Sequence, residues 1–349
     1  MIRNTQIAIP TLVRIKKFAL DRLGVYAQRN EFKRVVLMMS PGLGNLITGK
    51  VHAAFAAEGI EIVSEHIIAS SRLEIAQEIF QTLPVGIHAI FGVGGGKALD
   101  VAKYTSFLAR IPYVAVPTAL SNDGFCSPQS SLEVKGKRRS LPAVVPYGVV
   151  IDTDVCLHAP QALWWSGIGD LASKITAVYD WKLAFKKNGT QVDDFAALLS
   201  DATVFQLQSL QQKDHESIRL LGTALMLNGI AMEICGSSRP ASGSEHLLSH
   251  ALDLTAAKPN LHGLQVGIAS YIMSQLQQQG THRIVELFDS TGFWQAFNHA
   301  PLSREEWIRA FAISTTIKQD FYTILSERDF SEEFKSILNE DLRLQSIFQ

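Results

Sequence analysis

The second half of the chain carries Gly243-Ser244-Glu245-His246-Leu247-Leu248-Ser249-His250, then Leu261-His262-Gly263; Gly167-Ile168-Gly169-Asp170 stands well upstream. One aspartate and two histidines from separate segments suit a catalytic divalent cation, with a coordination position left for substrate or water. His246 and His250 are four apart and share a helix face. Spacing alone does not choose between Asp170/His246/His262 and Asp170/His246/His250. Asp170, placed after Gly-Ile-Gly, reads by itself as a residue near a helix start.

A second constellation lies in the first half. Gly92-Val93-Gly94-Gly95-Gly96-Lys97 follows a strand-like run and opens a helical one. Such glycines let the backbone approach a pyrophosphate, and the helix N-terminus beyond them offers free N–H groups. The spacing is neither of the two standard nucleotide fingerprints. Gly94, Gly95, Gly96, Lys97 and Asp100 are the cofactor candidates here. The polar loop from Thr118 to Pro128 follows another strand and faces the same end of the sheet. It adds Thr118, Ser121 and Ser127 for a nucleotide, and Asp123 for a substrate hydroxyl or the nicotinamide region. Ser40 ends an early strand, and no Asp or Glu occurs from Met38 to Lys50. A neutral group there does not repel a 2′-phosphate, so both NAD and NADP are expected. Arg239, beside small hydroxyl residues, suits a phosphate or carboxylate. Lys174, one helical turn after Asp170, is a candidate for the same cavity. A metal with a nucleotide implies a metal-dependent dehydrogenase or a close mechanistic relative.

The elements that must hold these residues fall into two textures. Arg34–Ser40, Ile60–Val63, Ile87–Val93 and Tyr113–Val116 are short apolar runs. They alternate with helical patterns over Leu73–Leu83 and Lys97–Arg110. That alternation predicts a doubly wound, Rossmann-like α/β domain over residues 1–157. From about Ala159, helical periods dominate: Asp194–Gln212, His215–Cys235, Gly243–Ala256 and Gly263–Gln278, with a last helix after Phe330. An all-α domain over residues 158–349 is expected to bind metal and substrate. Lys135–Arg139 reads as a solvated hairpin tip.

The chain has 349 residues, 47% hydrophobic and 19% charged, with a formal net charge of -1. That is enough for two cored domains and gives no reason to expect nucleic acid. Three scattered cysteines without a CxxC argue against a disulfide framework and for a reducing compartment. No signal-like run and no long uncharged apolar stretch is seen, so no membrane span and a cytoplasmic location are expected.

Taken together, Gly92–Lys103, Val116–Ser131, Gly167–Trp181, Ser237–Asp253 and His262–Gly267, and more weakly Phe321–Leu325, resemble the sn-glycerol-1-phosphate dehydrogenase family. That family lies within the iron-containing alcohol dehydrogenase and dehydroquinate synthase-like superfamily. The resemblance implies a dehydroquinate synthase-like fold and Asp170, His246 and His262 as metal ligands. It places His250 beside the metal as a polar or proton-relay residue, Arg239 at the substrate, and Asp123 at substrate or nicotinamide. It further implies one divalent metal (zinc, with nickel or iron as alternatives), NAD or NADP, a small phosphorylated ketone as substrate, and a homo-oligomer. Asn122 stands where the family usually has His, and Leu264 where it usually has Glu; Gln129 is also atypical. These departures bear on substrate identity. The competing readings are a sugar-phosphate cyclase of dehydroquinate synthase type and a glycerol or polyol dehydrogenase.

Overall fold

A computed structural model gives the structure of residues 7–206 and 212–349. The described residues form two compact units. One runs to Ala159 and takes in Asp214–Glu233; the other comprises Pro160–Lys213 and Ile234–Gln349.

The first unit is built on a six-stranded sheet. Its strands are β1 (Leu12–Lys16), β2 (Arg34–Met39), β3 (Glu61–Ile67), β4 (Ala89–Gly94), β5 (Tyr113–Pro117) and, after a hairpin of β6 (Gln129–Val134) and β7 (Lys137–Pro142), β8 (Gly148–Asp152). The sheet order is β1-β8-β5-β4-β2-β3, with every pairing parallel. Helices α1 (Leu23–Arg29), α2 (Gly44–Ala57), α3 (Leu73–Gln81), α4 (Gly96–Ala109) and α5 (Thr153–His158) complete the alternation.

The sequence explains this arrangement. In β2, Val35, Leu37 and Met39 join one apolar cluster while Val36 and Met38 join another, so both faces of the strand are buried. Continuous apolar runs of this kind specify a parallel strand covered on both sides. Each fully buried side chain contributes about 1.5–3 kcal/mol relative to exposure. The chain leaves β2 toward β3 in one direction and resumes at β4 on the other side. The carboxyl ends of β2 and β4 therefore form a topological switch point, where open α/β sheets take ligands. Ser40 and the glycine loop lie at those ends. Lys135 and Gly136 form the exposed β6–β7 turn, the hairpin tip read from composition.

The remaining helices are α6 (Gln161–Asn188), α7 (Asp194–Phe205), α8 (His215–Cys235), α9 (Ser244–Thr255), α10 (His262–Leu276), α11 (Thr281–Thr291), α12 (Arg304–Ile313), α13 (Ser331–Glu340) and α14 (Leu342–Gln345). Most of α8 clusters with the α/β unit, although the expected division assigned it to the helical one. It is the one helix among the described residues long and apolar enough to cross a membrane, with a mean hydropathy of 1.4. Its Ile218, Leu221, Ala224 and Leu225 are buried, as in a core helix. The expected run from Asp194 to Gln212 is helical to Phe205, and its continuation enters residues outside those described.

The long α6 departs most from expectation. Asp170 lies in its interior rather than at a helix start. Gly167 and Gly169 each cost roughly 1 kcal/mol within a helix. Tertiary packing explains Gly169. A Cβ at Gly169 would sit 2.0 Å from the Gly263 carbonyl oxygen, and one at Gly263 only 1.8 Å from that of Ser166. α6 and α10 cross with backbone against backbone, which only glycine permits.

Candidate metal centre and nucleotide loop

The α6–α10 crossing sets His262, the first residue of α10, against Asp170 of α6. α9 brings His246 to the same point. His246 Nε2 and His262 Nε2 each lie 3.8 Å from Asp170 Oδ1. The ligand atoms of Asp170, His246 and His262 all fall within 4.8 Å of one another. Ligands about 2.0–2.2 Å from a common cation stand roughly 3–4 Å apart, so this set fits one divalent ion after at most a small contraction.

The geometry separates the two ligand sets that spacing left open. His250 is on the same α9 face but has a side chain 43% exposed, 3.7 Å from Asp253 Oδ2. Its ring stacks on His262 with centroids 5.7 Å apart. It is beside the cluster and not in it.

The groups behind the ligands fix their orientation. His246 Nδ1 donates to Glu245 Oε1 at 2.9 Å, which turns Nε2 toward Asp170. Glu245 is fully buried; its Oε1 also accepts from the Gly243 N–H at 2.6 Å, and its Oε2 from the Thr176 hydroxyl at 2.8 Å. Burial pushes its carboxyl above the usual range. Asp180, also fully buried, accepts from the backbone N–H groups of Ser244 and Ile324 at 2.7 and 2.8 Å. Burial, reinforced by Glu245, pushes it up to about 7. His262 Nδ1 meets Ser249 Oγ at 3.3 Å. Gln265 braces the two histidine helices by donating to Ser249 O, Ser249 Oγ and Asp253 Oδ1. Sequence reasoning passed over Glu245, Asp180, Ser249 and Gln265. The Glu-His dipeptide was the available signal for the first of them.

The Lys174 ammonium is fully buried, 3.6 Å from Asp170 Oδ2, and donates to Ser173 Oγ and the Ala241 carbonyl, so it backs that carboxylate. Leu264, one of the departures, is buried.

In the α/β unit, the end of β4 turns at Gly94, whose φ of +134° suits glycine. A Cβ there would meet Ser40 Oγ at 2.3 Å. Ser40 Oγ instead accepts from the Gly95 N–H at 3.0 Å and so joins the β2 end to the loop. Added Cβ atoms at Gly95 and Gly96 would meet nothing within 4 Å, which leaves room for a pyrophosphate at the start of α4. Lys97 is exposed beside it. Thr118 N–H donates to the Gly94 carbonyl at 3.1 Å, so the second loop is tied to the first. Asn122 closes an Asx-type turn, its Oδ1 accepting from Gly124 N–H at 2.9 Å. Asp123 opens the short helical turn that follows, and Ser121 is half-buried nearby.

Two cofactor candidates are buried with partners in their own unit. Asp100 is buried 3.7 Å from the Lys103 ammonium. Ser127 is buried, with its hydroxyl on the Gly124 and Gln129 carbonyls. Fully buried Lys103 donates to those same two carbonyls. The helical face that reads as nucleotide-facing therefore holds the Asp123 loop in shape. Gln129 enters that scaffold through its backbone.

These features define a class before they define a member. A model of the iron-containing alcohol dehydrogenase family matches residues 14–160. The fold is shared with the crystal structure of glycerol dehydrogenase from Schizosaccharomyces pombe, at a TM-score of 0.77, 17% identity and coverage of 98% of this chain and 91% of that one. It is shared too with an iron-containing alcohol dehydrogenase from Thermotoga maritima, at a TM-score of 0.69, 14% identity and coverage of 97% and 99%.

Sequence similarity narrows the class. Glycerol-1-phosphate dehydrogenase (NAD(P)+) of Aeropyrum pernix is 36% identical over 94% of this chain and 95% of its own length. The Pyrococcus horikoshii protein of the same name is 36% identical over 87% and 90%. The chain belongs to the glycerol-1-phosphate dehydrogenase family.

Proposed function

We propose that this protein is a metal-dependent NAD(P)H oxidoreductase that reversibly reduces dihydroxyacetone phosphate to sn-glycerol 1-phosphate. The observation that carries the reading is the convergence of Asp170, His246 and His262, in a chain whose full-length relatives bear that enzyme name. A divalent cation held by the three would act as a Lewis acid on the substrate carbonyl. Glu245 and Ser249 keep both imidazoles turned with Nε2 inward. Lys174 balances the second oxygen of Asp170. His250, half-buried and close to His262, would pass a proton between the site and solvent. The glycine loop with Ser40 and Thr118 holds the dinucleotide, and Asp123 contacts substrate or nicotinamide.

The three free cysteines support a reducing, cytoplasmic setting. Phe195 and Leu198, 63% and 65% exposed on α7, support burial in a homo-oligomer.

The test is NADH and NADPH oxidation by metal-reconstituted protein with dihydroxyacetone phosphate beside unphosphorylated dihydroxyacetone. Turnover that depends on the phosphate supports the proposal. Equal turnover of both ketones points to a polyol dehydrogenase, and turnover of neither overturns the assignment of substrate.

A further inference from the structure

α6 does more than supply Asp170. Four of its side chains grip the segment that opens α9. Ser173 Oγ and Lys174 Nζ lie 3.3 and 3.4 Å from the Ala241 carbonyl oxygen. The Thr176 hydroxyl, also 3.0 Å from the Ser173 carbonyl oxygen of its own helix, donates to Glu245 Oε2 at 2.8 Å. Asp180 Oδ2 accepts from the Ser244 N–H at 2.7 Å. Its other oxygen accepts from the Ile324 N–H at 2.8 Å, so Asp180 is itself held from behind. All four α6 residues are fully buried, as are Ser244 and Glu245.

The grip closes on a glycine. A Cβ at Gly243 would lie 2.6 Å from Asp180 Oδ2 and 2.9 Å from Glu245 Oε2. Two carboxylates, one from α6 and one from α9, therefore flank the backbone where α9 begins. Buried carboxylates this close repel each other, and each carries a desolvation cost that an apolar side chain would not. What such an arrangement adds is direction, because each oxygen is fixed by a donor of set position.

That direction passes to a metal ligand. Glu245 Oε1 accepts from the Gly243 N–H at 2.6 Å and from His246 Nδ1 at 2.9 Å. The far nitrogen of the same ring, Nε2, lies 3.8 Å from Asp170 Oδ1. The path from Thr176 through Glu245 and His246 thus returns to α6 six residues before it started. One helix offers a ligand with Asp170 and aims a second ligand with Thr176 and Asp180. Neither of the latter touches the cluster.

We propose that Thr176 and Asp180 are positioning residues for His246: Thr176 fixes the Glu245 carboxylate behind the imidazole, and Asp180 fixes the first turn of α9 that carries both. The proposal rests on the assignment of Asp170, His246 and His262 as metal ligands.

The test uses the full chain with Thr176→Val, Thr176→Ser and Asp180→Asn. Thr255→Val is the control, since the Thr255 hydroxyl donates to the Ala251 carbonyl at 2.9 Å within the same helix α9. Two quantities are read: the Kd of zinc(II) by competition with a chelator, and the visible spectrum of the cobalt(II)-loaded protein, which reports the ligand field without turnover. Thr176→Val keeps nearly the same shape and removes the hydroxyl. It is expected to weaken zinc(II) binding about 10-fold, the lower end for groups behind a ligand, and to shift the cobalt(II) spectrum. Thr176→Ser restores both, and Thr255→Val leaves both as in the wild type. Asp180→Asn keeps the volume and one acceptor and is expected to weaken zinc(II) in the same direction; it carries the test if Thr176→Val does not fold. Wild-type zinc(II) affinity in Thr176→Val and Asp180→Asn overturns the proposal. So does an equal loss in Thr176→Ser, which would assign the effect to packing, or in Thr255→Val, which would assign it to any lost helix hydroxyl. A wild-type chain that binds zinc(II) but does not reduce dihydroxyacetone phosphate fails the functional reading alone, and the affinities still decide this one. A wild-type chain that binds no divalent cation removes the ligand assignment and this proposal with it.

Discussion

Gly263→Ala sets local preference against tertiary contact. Gly263 is the second residue of α10. By intrinsic propensity alone, alanine there stabilises the helix by about 1 kcal/mol. The structure gives the opposite sign. The new Cβ would lie 1.8 Å from the Ser166 carbonyl oxygen and 2.7 Å from Ser166 Oγ, on α6. A normal C···O contact is roughly 3.3 Å, so the helices must separate by about 1.5 Å. Overpacking of this kind costs about 1–3 kcal/mol, occasionally more. The Gly263 N–H to Ser166 Oγ bond, 3.2 Å long, goes with it. The chemical effect is larger. His262 Nε2 now lies 3.8 Å from Asp170 Oδ1. Adding the separation takes the pair to roughly 5 Å, too far for two bonds of about 2.0–2.2 Å to one cation. The expected outcome is a folded protein with lower Tm that no longer binds one metal per chain and has lost activity. Elemental analysis after reconstitution, with circular dichroism to confirm folding, measures this. A Gly263→Ala protein with wild-type metal stoichiometry, wild-type metal Kd and a raised Tm would refute the close-crossing argument.

His246→Ala is expected to lose metal and activity together, and retention of both in elemental analysis and assay would dismiss the ligand set. Glu245→Gln keeps the shape but removes the charge behind His246; metal affinity is expected to fall about 10–100-fold, read by competition with a chelator. With Ser40 engaged by Gly95 and no acidic residue at the end of β2, kcat/KM for NADH and NADPH is expected to agree within about tenfold; a much larger preference for NADH would count against the neutral-strand-end argument.

The α/β half was legible because its signals are local. Runs such as Val35–Met39 and Ala89–Val93 bury both faces, and the glycine loop falls at the strand end where the alternation places it. Edge strand β1, half-buried over most of its length, lacks that signal and was not anticipated. Much of the helical half was readable from periodicity, except where packing overrode propensity. In α6 the Gly-Ile-Gly run hid a continuous helix, because the cost of Gly169 is local and its benefit is contact with a helix about a hundred residues away.

The candidate site divides the same way. The sequence by itself determined the chemistry: an aspartate and three histidines able to ligate, a glycine turn able to admit a phosphate, an arginine among small hydroxyls. Residue type and spacing carry that information without any fold. Spacing left His262 and His250 open, and the family resemblance pointed to His262; only the tertiary structure put Lys174 behind the carboxylate and buried Asp100 and Ser127 against the scaffold of the Asp123 loop. Each of those outcomes depends on where a side chain lies relative to residues distant in sequence. That placement is set by helix crossings and strand order, which one-dimensional spacing does not encode.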